Sequence, residues 1–127
     1  MINTERTEQK LGFDRIRAAT ESLCSTNAAR RAALEISFSD DLQEVTTALH
    51  RTDEMRVISM LESGFPDSGY VDTAHFVAQL ENTSYCLDLS SIVRLRTSLE
   101  TLRQIQAFFK KTKDNQYPYL KQLAEPV

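Results

Sequence analysis

Residues 88–113, DLSSIVRLRTSLETLRQIQAFFKKTK, decide the fold that we predict for this chain. Their apolar side chains recur at intervals of mostly three and four residues, which is the repeat of an α-helix and excludes a strand. Asp88 can cap the first free amides, and the lysines at the other end suit the negative pole of the helix dipole. Such a helix is about 35–40 Å long at about 1.5 Å per residue. We expect other helices to pack along its apolar stripe, which comprises Leu89, Ile92, Leu95, Leu99, Leu102, Ile105, Phe108 and Phe109.

A second long helix is predicted to open at Phe38-Ser39-Asp40-Asp41 and to stop by Ser63-Gly64, because apolar residues recur at helical spacing from Leu42 to Leu61. Asp40 is its predicted N-cap, because Gln43 follows three residues later as in a capping box. Gly64 is its predicted left-handed cap at the C-terminal end.

The rest of the chain predicts shorter helices joined by polar turns. A polar helix over residues 1–11 comes first. Later helices are predicted after Asp14, after the run Ser25-Thr26-Asn27, after Asp72, and at Tyr117-Pro118, where proline suits the first turn. The whole pattern predicts an all-α fold, an irregular bundle of about six or seven helices of which two are long and amphipathic.

Length and composition set the broad class. The chain has 127 residues, which argues for a single domain over residues 1–127. Its 3 glycines and 3 prolines are too few for an all-β protein with many tight turns. The net charge of -3 disfavours tight nucleic-acid binding by the chain alone. With no signal peptide and no apolar run of membrane-spanning length, we expect a cytoplasmic protein that does not enter a membrane.

No group of residues in the sequence matches a known catalytic or metal-binding pattern. None of the glycines begins a GxxxxGK[ST] motif, so we expect no nucleotide site. Cys24 and Cys86 match no metal spacing, and His50 and His75 lie far apart. We therefore predict no catalytic residue, no cofactor, no metal and no enzyme activity for this chain.

Two charged clusters are candidate binding surfaces. The first, in the second long helix, is either a solvated face or a salt-bridged surface between domains. Its members are Arg51, Asp53, Glu54 and Arg56, and the apolar residues of the last helix that would join such a surface are Tyr119, Leu120 and Leu123. The second, in the first-described helix, is either a solvated face or a strip that contacts nucleic-acid phosphates. Its members are Arg94, Arg96, Arg103, Lys110, Lys111 and Lys113, and Glu100 interrupts the strip. The residues that we single out as nucleic-acid contacts are Arg94, Arg96, Lys110 and Lys111.

Four segments together resemble the N-terminal part of the MutS family of DNA mismatch-repair ATPases. They are KLGFDRIRAATESLC, FSDDLQEVTTALHRTDEMRVISMLESG followed by FP, SLETLRQIQAFFKK, and YPYLKQLAEPV. The resemblance covers residues 10–127 in order, and its distinctive pieces are LxFDRI, TDEMR and YPYLxxLAE. It is nearest to the type-II paralogue, which lacks the mismatch-reading and connector domains and begins with the helical core.

The resemblance implies a role as the first part of a core or lever domain. In that family the long helices of this region lead toward a coiled-coil clamp on DNA and pack near the ATPase domain. ATP and magnesium are then expected only in the ATPase domain of a parent protein. The implied partners are the remaining domains of that parent, with DNA or the ribosome reached through them. Type-II members are linked to suppression of recombination and to rescue of collided ribosomes, and usually carry a C-terminal Smr nuclease domain.

The family's ATP-binding, magnesium and nuclease residues have no counterpart in residues 1–127, so none is carried over. The leading hypothesis is a non-catalytic core module, the N-terminal piece of a bacterial MutS-like ATPase. Two rivals stay open: a small nucleic-acid-binding domain, and a free-standing helical adaptor or homodimer. The adaptor predicts an apolar patch exposed after folding, and a piece of a larger core predicts the same near Leu120, Leu123 and Val127.

Overall fold

The computed structural model describes residues 4–82, 84 and 86–125, which contain seven helices and no strand. In chain order the helices are α1 Thr4–Leu11, α2 Phe13–Leu23, α3 Asn27–Leu34, α4 Leu42–Leu61, α5 Ala74–Leu80, α6 Leu89–Lys111 and α7 Pro118–Ala124. The all-α prediction is confirmed, and the two long helices are α4 with 20 residues and α6 with 23. The predicted first helix includes residues 1–3, and the predicted apolar patch near Leu123 includes residue 127. These residues lie outside the described ones.

The chain divides into two compact units, unit 1 over Met1–Phe38 and unit 2 over Ser39–Val127. Unit 1 contains α1, α2 and α3, and α2 packs against both of the others. Unit 2 contains α4 to α7. That the two units together form a single domain over residues 1–127 stays a prediction.

Arg17 on α2 is the polar centre of unit 1. Its guanidinium forms an ion pair with Glu8 of α1 and donates a hydrogen bond to the carbonyl of Ile36, which follows α3. The same guanidinium lies 4.8 Å from the centroid of the Phe13 ring. Glu8 also accepts a hydrogen bond from the amide of Phe38 at 3.4 Å. Arg17 therefore ties α1 and the segment after α3 to α2.

The core of unit 2 lies where α4, α6 and α7 meet. Ile58 of α4 is fully buried, and Phe108 and Phe109 of α6 are buried beside it. The two phenylalanine rings pack edge to face with centroids 5.3 Å apart, and Phe65 packs edge-on against both. Partly buried side chains surround this centre, namely Ile105, Tyr117, Leu120 and Ala124. These contacts hold the C-terminal ends of α4 and α6 together.

The long helices both begin at an aspartate cap. Asp88 caps α6 as predicted, because its carboxylate accepts a hydrogen bond from the amide of Ser91 at 3.2 Å. The prediction of Asp40 as the cap of α4 is wrong. Asp41 caps that helix, and its carboxylate accepts from the amides two and three residues later at 2.8 and 3.1 Å.

Two shorter helices also begin at residues other than those predicted. α2 follows Gly12, whose left-handed backbone has a φ of 75°, so Asp14 lies inside the first turn and is not the cap. α5 follows Thr73, so the prediction of Asp72 as its cap is wrong by one residue. α3 does begin at the predicted run, where the hydroxyl of Thr26 accepts a hydrogen bond from a first-turn amide.

The loop after α4 is pinned to the middle of α6. α4 ends at its extended C-cap Glu62, so the predicted left-handed cap at Gly64 is wrong, and the left-handed glycine of this loop is Gly69, with a φ of 84°. The buried Thr101 of α6 donates its hydroxyl to the carbonyl of Gly69 at 3.0 Å. A Cβ on Gly69 would lie 2.3 Å from that hydroxyl oxygen, so only glycine fits here.

Most of the apolar stripe of α6 is not covered. Leu89, Ile92 and Leu99 are 76%, 50% and 59% exposed, and only the end at Phe108 and Phe109 is buried. The expectation that other helices pack along the whole stripe is therefore wrong. The reason is that α7 reaches only the C-terminal end of α6, and the loop before α5 covers a different face, at Thr101. Several apolar residues of α4 are exposed as well, namely Leu42, Val45, Leu49, Met55, Met60 and Leu61.

Candidate interaction surfaces

The first candidate surface is a joint that fixes α7 to α4. α7 starts at Pro118 after Tyr117, whose left-handed backbone has a φ of 53° and whose side chain makes no cap. Glu54 of α4 supplies the cap, because its carboxylate accepts hydrogen bonds from the amides of Tyr119 and Leu120 at 3.2 and 2.8 Å. A carboxylate beside the first amides also suits the positive pole of the helix. We call this arrangement the α4–α7 joint.

Three further contacts strengthen the α4–α7 joint. The hydroxyl of Tyr117 donates to the carboxylate of Glu62 at 2.9 Å, and this bond raises the pKa of Tyr117. The ring of Tyr119 stacks on His50 with centroids 4.6 Å apart. The ammonium of Lys121 donates to the two carbonyls that directly follow α6, at 3.1 and 2.6 Å. The end of α6 is therefore tied to the same joint.

The charged members of the predicted inter-domain surface differ in their surroundings, because some contact other helices and others face solvent. Glu54 is used inside the α4–α7 joint. Asp53 and Arg56 form an ion pair at 2.8 Å that is largely exposed. Arg51 is half-buried, and its Nε atom has no hydrogen-bond partner among the described residues. The four side chains therefore do not act as one cluster, and their role between domains stays a prediction.

The apolar members of that surface lie on α7. Tyr119 and Leu120 are half-buried, and Leu120 packs against the core of unit 2. Leu123 is 51% exposed and is the member of this group that offers apolar area to another molecule. The apolar patch near Leu120, Leu123 and Val127 stays a prediction, because Leu123 alone is exposed among the described members and Val127 lies outside the described residues.

The predicted phosphate strip does not lie on one face of α6. Arg94 belongs to the covered side, where its guanidinium lies 5.4 Å from the centroid of the Phe76 ring. Arg96 lies about 200° further round the helix at about 100° per residue, and Lys110 is about 21 Å further along the axis. Lys110 and Lys111 are exposed in the last turn. Nucleic-acid contact by these four residues stays a prediction, but a single straight strip would contain only part of the set.

The second candidate surface is the open side of α6. Ile92, Leu95, Leu99 and Leu102 lie there at the a and d spacing of a coiled coil. Ile92, Leu99 and Leu102 are exposed and Leu95 is half-buried. We call these four residues the α6 seam. The sequence showed this spacing, but it predicted a buried stripe because periodicity does not tell which faces of a helix find a partner.

A row of basic residues borders the α6 seam. Arg96, Arg103 and Lys110 recur at every seventh residue and are all exposed. Arg96 and Arg103 line a shallow groove together with Ile92, Leu95, Leu99 and Glu100. We call these three residues the basic edge. Charge alone does not distinguish the basic edge from the other cations of α6, so the predicted strip included Arg94 and Arg96 together.

No group of three or more His, Cys, Asp or Glu side chains among the described residues is placed to hold a metal ion. In the same part of the chain, no helix combines the length and the apolar character needed to cross a membrane. Comparisons with protein-family models, with curated proteins and with solved structures give no match to this chain. A proposed function must therefore rest on the two surfaces and on the resemblance described above.

Proposed function

We propose that this chain is a non-catalytic helical core module of a MutS-like DNA repair or recombination ATPase, in which it links a DNA-clamping region to the ATPase domain. The resemblance of residues 10–127 to the N-terminal part of that family supports the proposal. The observation that carries it is the α4–α7 joint, where one side chain of α4 caps α7 beside a shared core. A rigid connection of this kind suits a domain that transmits a displacement between two other regions of a protein.

The two long helices are the levers in this proposal. α4 and α6 are about 30 and 35 Å long at about 1.5 Å per residue. Both are fixed near their C-terminal ends by Ile58, Phe108 and Phe109. A close-packed core shifts between discrete arrangements instead of deforming continuously. A displacement of the N-terminal part of α4 is therefore delivered at the joint, whereas α6 is also held at its middle by Thr101.

The chemistry in this proposal belongs to other domains of the parent protein. ATP and magnesium would bind in its ATPase domain, and DNA or a ribosome would be reached through its other regions. The module would supply stiff helices with apolar faces for those regions to cover. The exposed leucines of α4 support this role, because apolar area left open on a folded unit is typical of an interaction site.

Sequencing the messenger RNA that encodes this chain tests the first half of the proposal. We expect the reading frame to continue past the codon for Val127 into a domain with a GxxxxGK[ST] motif. A stop codon at that point, with no ATPase recovered together with the purified chain, would contradict the proposal.

DNA-stimulated ATP hydrolysis by the parent protein tests the second half. Glu54→Ala removes the cap of α7, whereas Asp53→Ala removes the next carboxylate, whose ion pair with Arg56 is exposed. We expect Glu54→Ala to reduce the stimulation by DNA at least about fivefold, the lower end of ordinary coupling between sites. Asp53→Ala should change it less than about twofold. Equal stimulation in both folded variants and the wild type would exclude a coupling role for the joint.

A further inference from the structure

We propose that the α6 seam binds an amphipathic α-helix of a partner protein whose apolar stripe is flanked by Asp or Glu residues. The partner helix would pack along α6, with apolar contacts at the seam and ion pairs at the basic edge. Such binding depends only on residues of α6, whether or not the chain serves a MutS-like ATPase.

The apolar part of this surface is regular and open. Ile92, Leu99 and Leu102 are 50%, 59% and 39% exposed, and Leu95 completes the alternation of three and four residues. This spacing keeps the four side chains on one side of the helix over about three turns. A helix with the same repeat can insert its own apolar side chains between them and remove the exposed area from water.

The opposite side of α6 is already held in place. Thr101 is buried and donates its hydroxyl to the carbonyl of Gly69, and Arg94 lies over the ring of Phe76. Thr101 and Leu99 point about 160° apart at about 100° per residue. The seam is therefore the free face of a helix that the rest of unit 2 has fixed, which lowers the entropy cost of binding a partner.

Charge identifies the partner's chemistry. The basic edge consists of Arg96, Arg103 and Lys110, and none of them forms an ion pair with a described carboxylate. Glu100 lines the same groove as Arg96 and Arg103 but forms an ion pair with neither, and the three cations outnumber it. Residues beside an apolar seam select the partner through interhelical ion pairs, so three cations in one row call for carboxylates on the bound helix.

A second copy of this chain does not supply those carboxylates. In an antiparallel pair the basic edge would face the basic edge of the other copy, and like charges would repel. In a parallel pair it would face the other flank of the seam, which holds Ser91, Ser98 and Ile105. Those three side chains carry no charge and are half-buried in unit 2. The charges therefore favour a different protein over self-association.

Nucleic acid would use only half of this surface. Phosphates can pair with the basic edge, but they leave Ile92, Leu99 and Leu102 in water. An acidic amphipathic helix satisfies both the cations and the apolar side chains. The surface as a whole therefore fits a helix better than a phosphate backbone.

Two synthetic peptides and the full 127-residue chain test this proposal. Both peptides are fluorescein-labelled helices of about four heptads with Ile and Leu at positions a and d, and they differ only in having Glu or Lys at positions e and g. Like charges at these positions also keep each peptide from pairing with itself. We expect the Glu peptide to bind at least about tenfold more tightly than the Lys peptide in fluorescence anisotropy at low salt.

Matched variants separate the seam and its edge from the rest of α6. Arg103→Glu lowers the charge of the basic edge from +3 to +1 and should reduce the preference for the Glu peptide at least about threefold, whereas Lys111→Glu makes the same charge change off the edge and should preserve it. Leu99→Gln should weaken binding of the Glu peptide at least about tenfold, whereas Val93→Gln, at an equally exposed site off the seam, should not. Circular dichroism of each variant checks that α6 is still folded.

Five results would overturn the proposal. The first three are failure of both peptides to bind, equal binding of the two peptides, and an equal reduction of the preference by Lys111→Glu and by Arg103→Glu. The fourth is displacement of the Glu peptide by duplex DNA at lower concentration than by unlabelled peptide, which would assign the edge to nucleic acid. The fifth is a dimer in sedimentation equilibrium that Leu99→Gln dissociates, which would assign the seam to a second copy. None of these outcomes bears on the ATPase test, which uses Glu54 and Asp53.

Discussion

At the scale of single residues, Gly69 decides how the loop after α4 meets α6. Gly69→Ala should lower the free energy of unfolding of unit 2 by at least about 2 kcal/mol, because a left-handed backbone already costs alanine about 1–2 kcal/mol. The new Cβ would also lie 2.3 Å from the hydroxyl oxygen of Thr101. Urea denaturation followed by circular dichroism measures the loss.

Gly64→Ala is the matched control for this substitution. A Cβ there would meet only Phe108, at an ordinary 3.8 Å, and the backbone is not left-handed. We expect a change within about 0.5 kcal/mol. Adding Thr101→Ala to Gly69→Ala should recover part of the loss by removing the clash. An equal loss at both glycines would contradict the described loop.

Asp88 makes the first turn of α6 sensitive to acid. Hydrogen bonds from Ser91 and Ser90 hold the pKa of Asp88 below its usual value of 3.8. A carboxylate whose pKa is lowered on folding stabilises the fold above that usual value, and this stabilisation disappears as the pH falls through the lowered pKa. We expect the amide of Ser91 to lose protection from hydrogen exchange in that range of pH.

Asp88→Asn is the control, since asparagine caps a helix as well as aspartate does but does not titrate. The amide of Ser91 in this variant should keep its protection through the same range of pH. Loss of protection at the same pH in the wild type and in Asp88→Asn would assign the effect to other carboxylates.

A single capping residue could be predicted from the sequence only where one candidate stood alone, as at Asp88. At the run Ser25-Thr26-Asn27 the sequence located the helix start, and the structure identifies Thr26 as the cap. Asp40 and Asp41 are neighbours, and only the position of a carboxylate relative to the amides distinguishes them. Glu54 carried no local signal as a cap, because the amides it binds are 65 and 66 residues away.

At the scale of elements, α7 depends on a side chain of α4. Glu54→Ala in the isolated chain should weaken α7 by about 1–2 kcal/mol, because two amides lose a charged acceptor. The amides of Tyr119 and Leu120 should then exchange hydrogen faster in NMR measurements. Asp53→Ala should cost less than about 0.5 kcal/mol, since exposed ion pairs contribute little. Unchanged protection of the two amides in Glu54→Ala would show that the cap is not needed.

The existence and length of α4 and α6 followed from apolar periodicity, and the structure confirms both helices. Which faces they bury did not follow. The spacing of leucines in a sequence indicates an apolar helix face, but it does not distinguish a face buried inside the molecule from one that is exposed. In α6 the buried positions include Thr101, a polar residue that no hydrophobic pattern would select. The contact of Thr101 with Gly69 lies on that face, and no local sequence pattern indicates a contact between residues so far apart in the chain.

At the scale of the whole molecule, unit 1 relies on polar ties more than on a core. It spans Met1–Phe38, a length at which apolar burial alone rarely stabilises a fold, and the buried apolar residue described in it is Ala33. Arg17→Met should lower the stability of α1–α3 by about 2 kcal/mol, because it leaves the carboxylate of Glu8 largely buried without its charged partner. Hydrogen exchange of the amides of α2 measures this loss.

Arg15→Met is the matched control on the same helix. The side chain of Arg15 is exposed, so its removal should change stability by less than about 0.5 kcal/mol. A double variant of Arg17→Met with Glu8→Gln should cost less than the sum of the two single changes, since the residues share one interaction. Additive losses would contradict the described ion pair.

The division into two units had no signal in the sequence. Residues 35–41, where unit 1 gives way to unit 2, contain neither glycine nor proline and show no change in composition. Compactness is a property of contacts summed over many residues, so the division depends on interactions such as Arg17 with Glu8 that no local pattern reveals. The MutS relationship likewise stays a prediction based on the four quoted segments.

The long sequence separation within the α4–α7 joint has a consequence for biosynthesis. Glu54 leaves the ribosome 66 residues before Leu120, an interval of about 3–13 s at about 5–20 residues per second. Local helices form within about a microsecond, so α4 can form before the amides of Tyr119 and Leu120 have been synthesised. Until then the carboxylate of Glu54 has no amide of α7 to bind. The last step in folding unit 2 is thus timed by translation, and slow codons before the α7 coding region would prolong the exposure of its unfinished core.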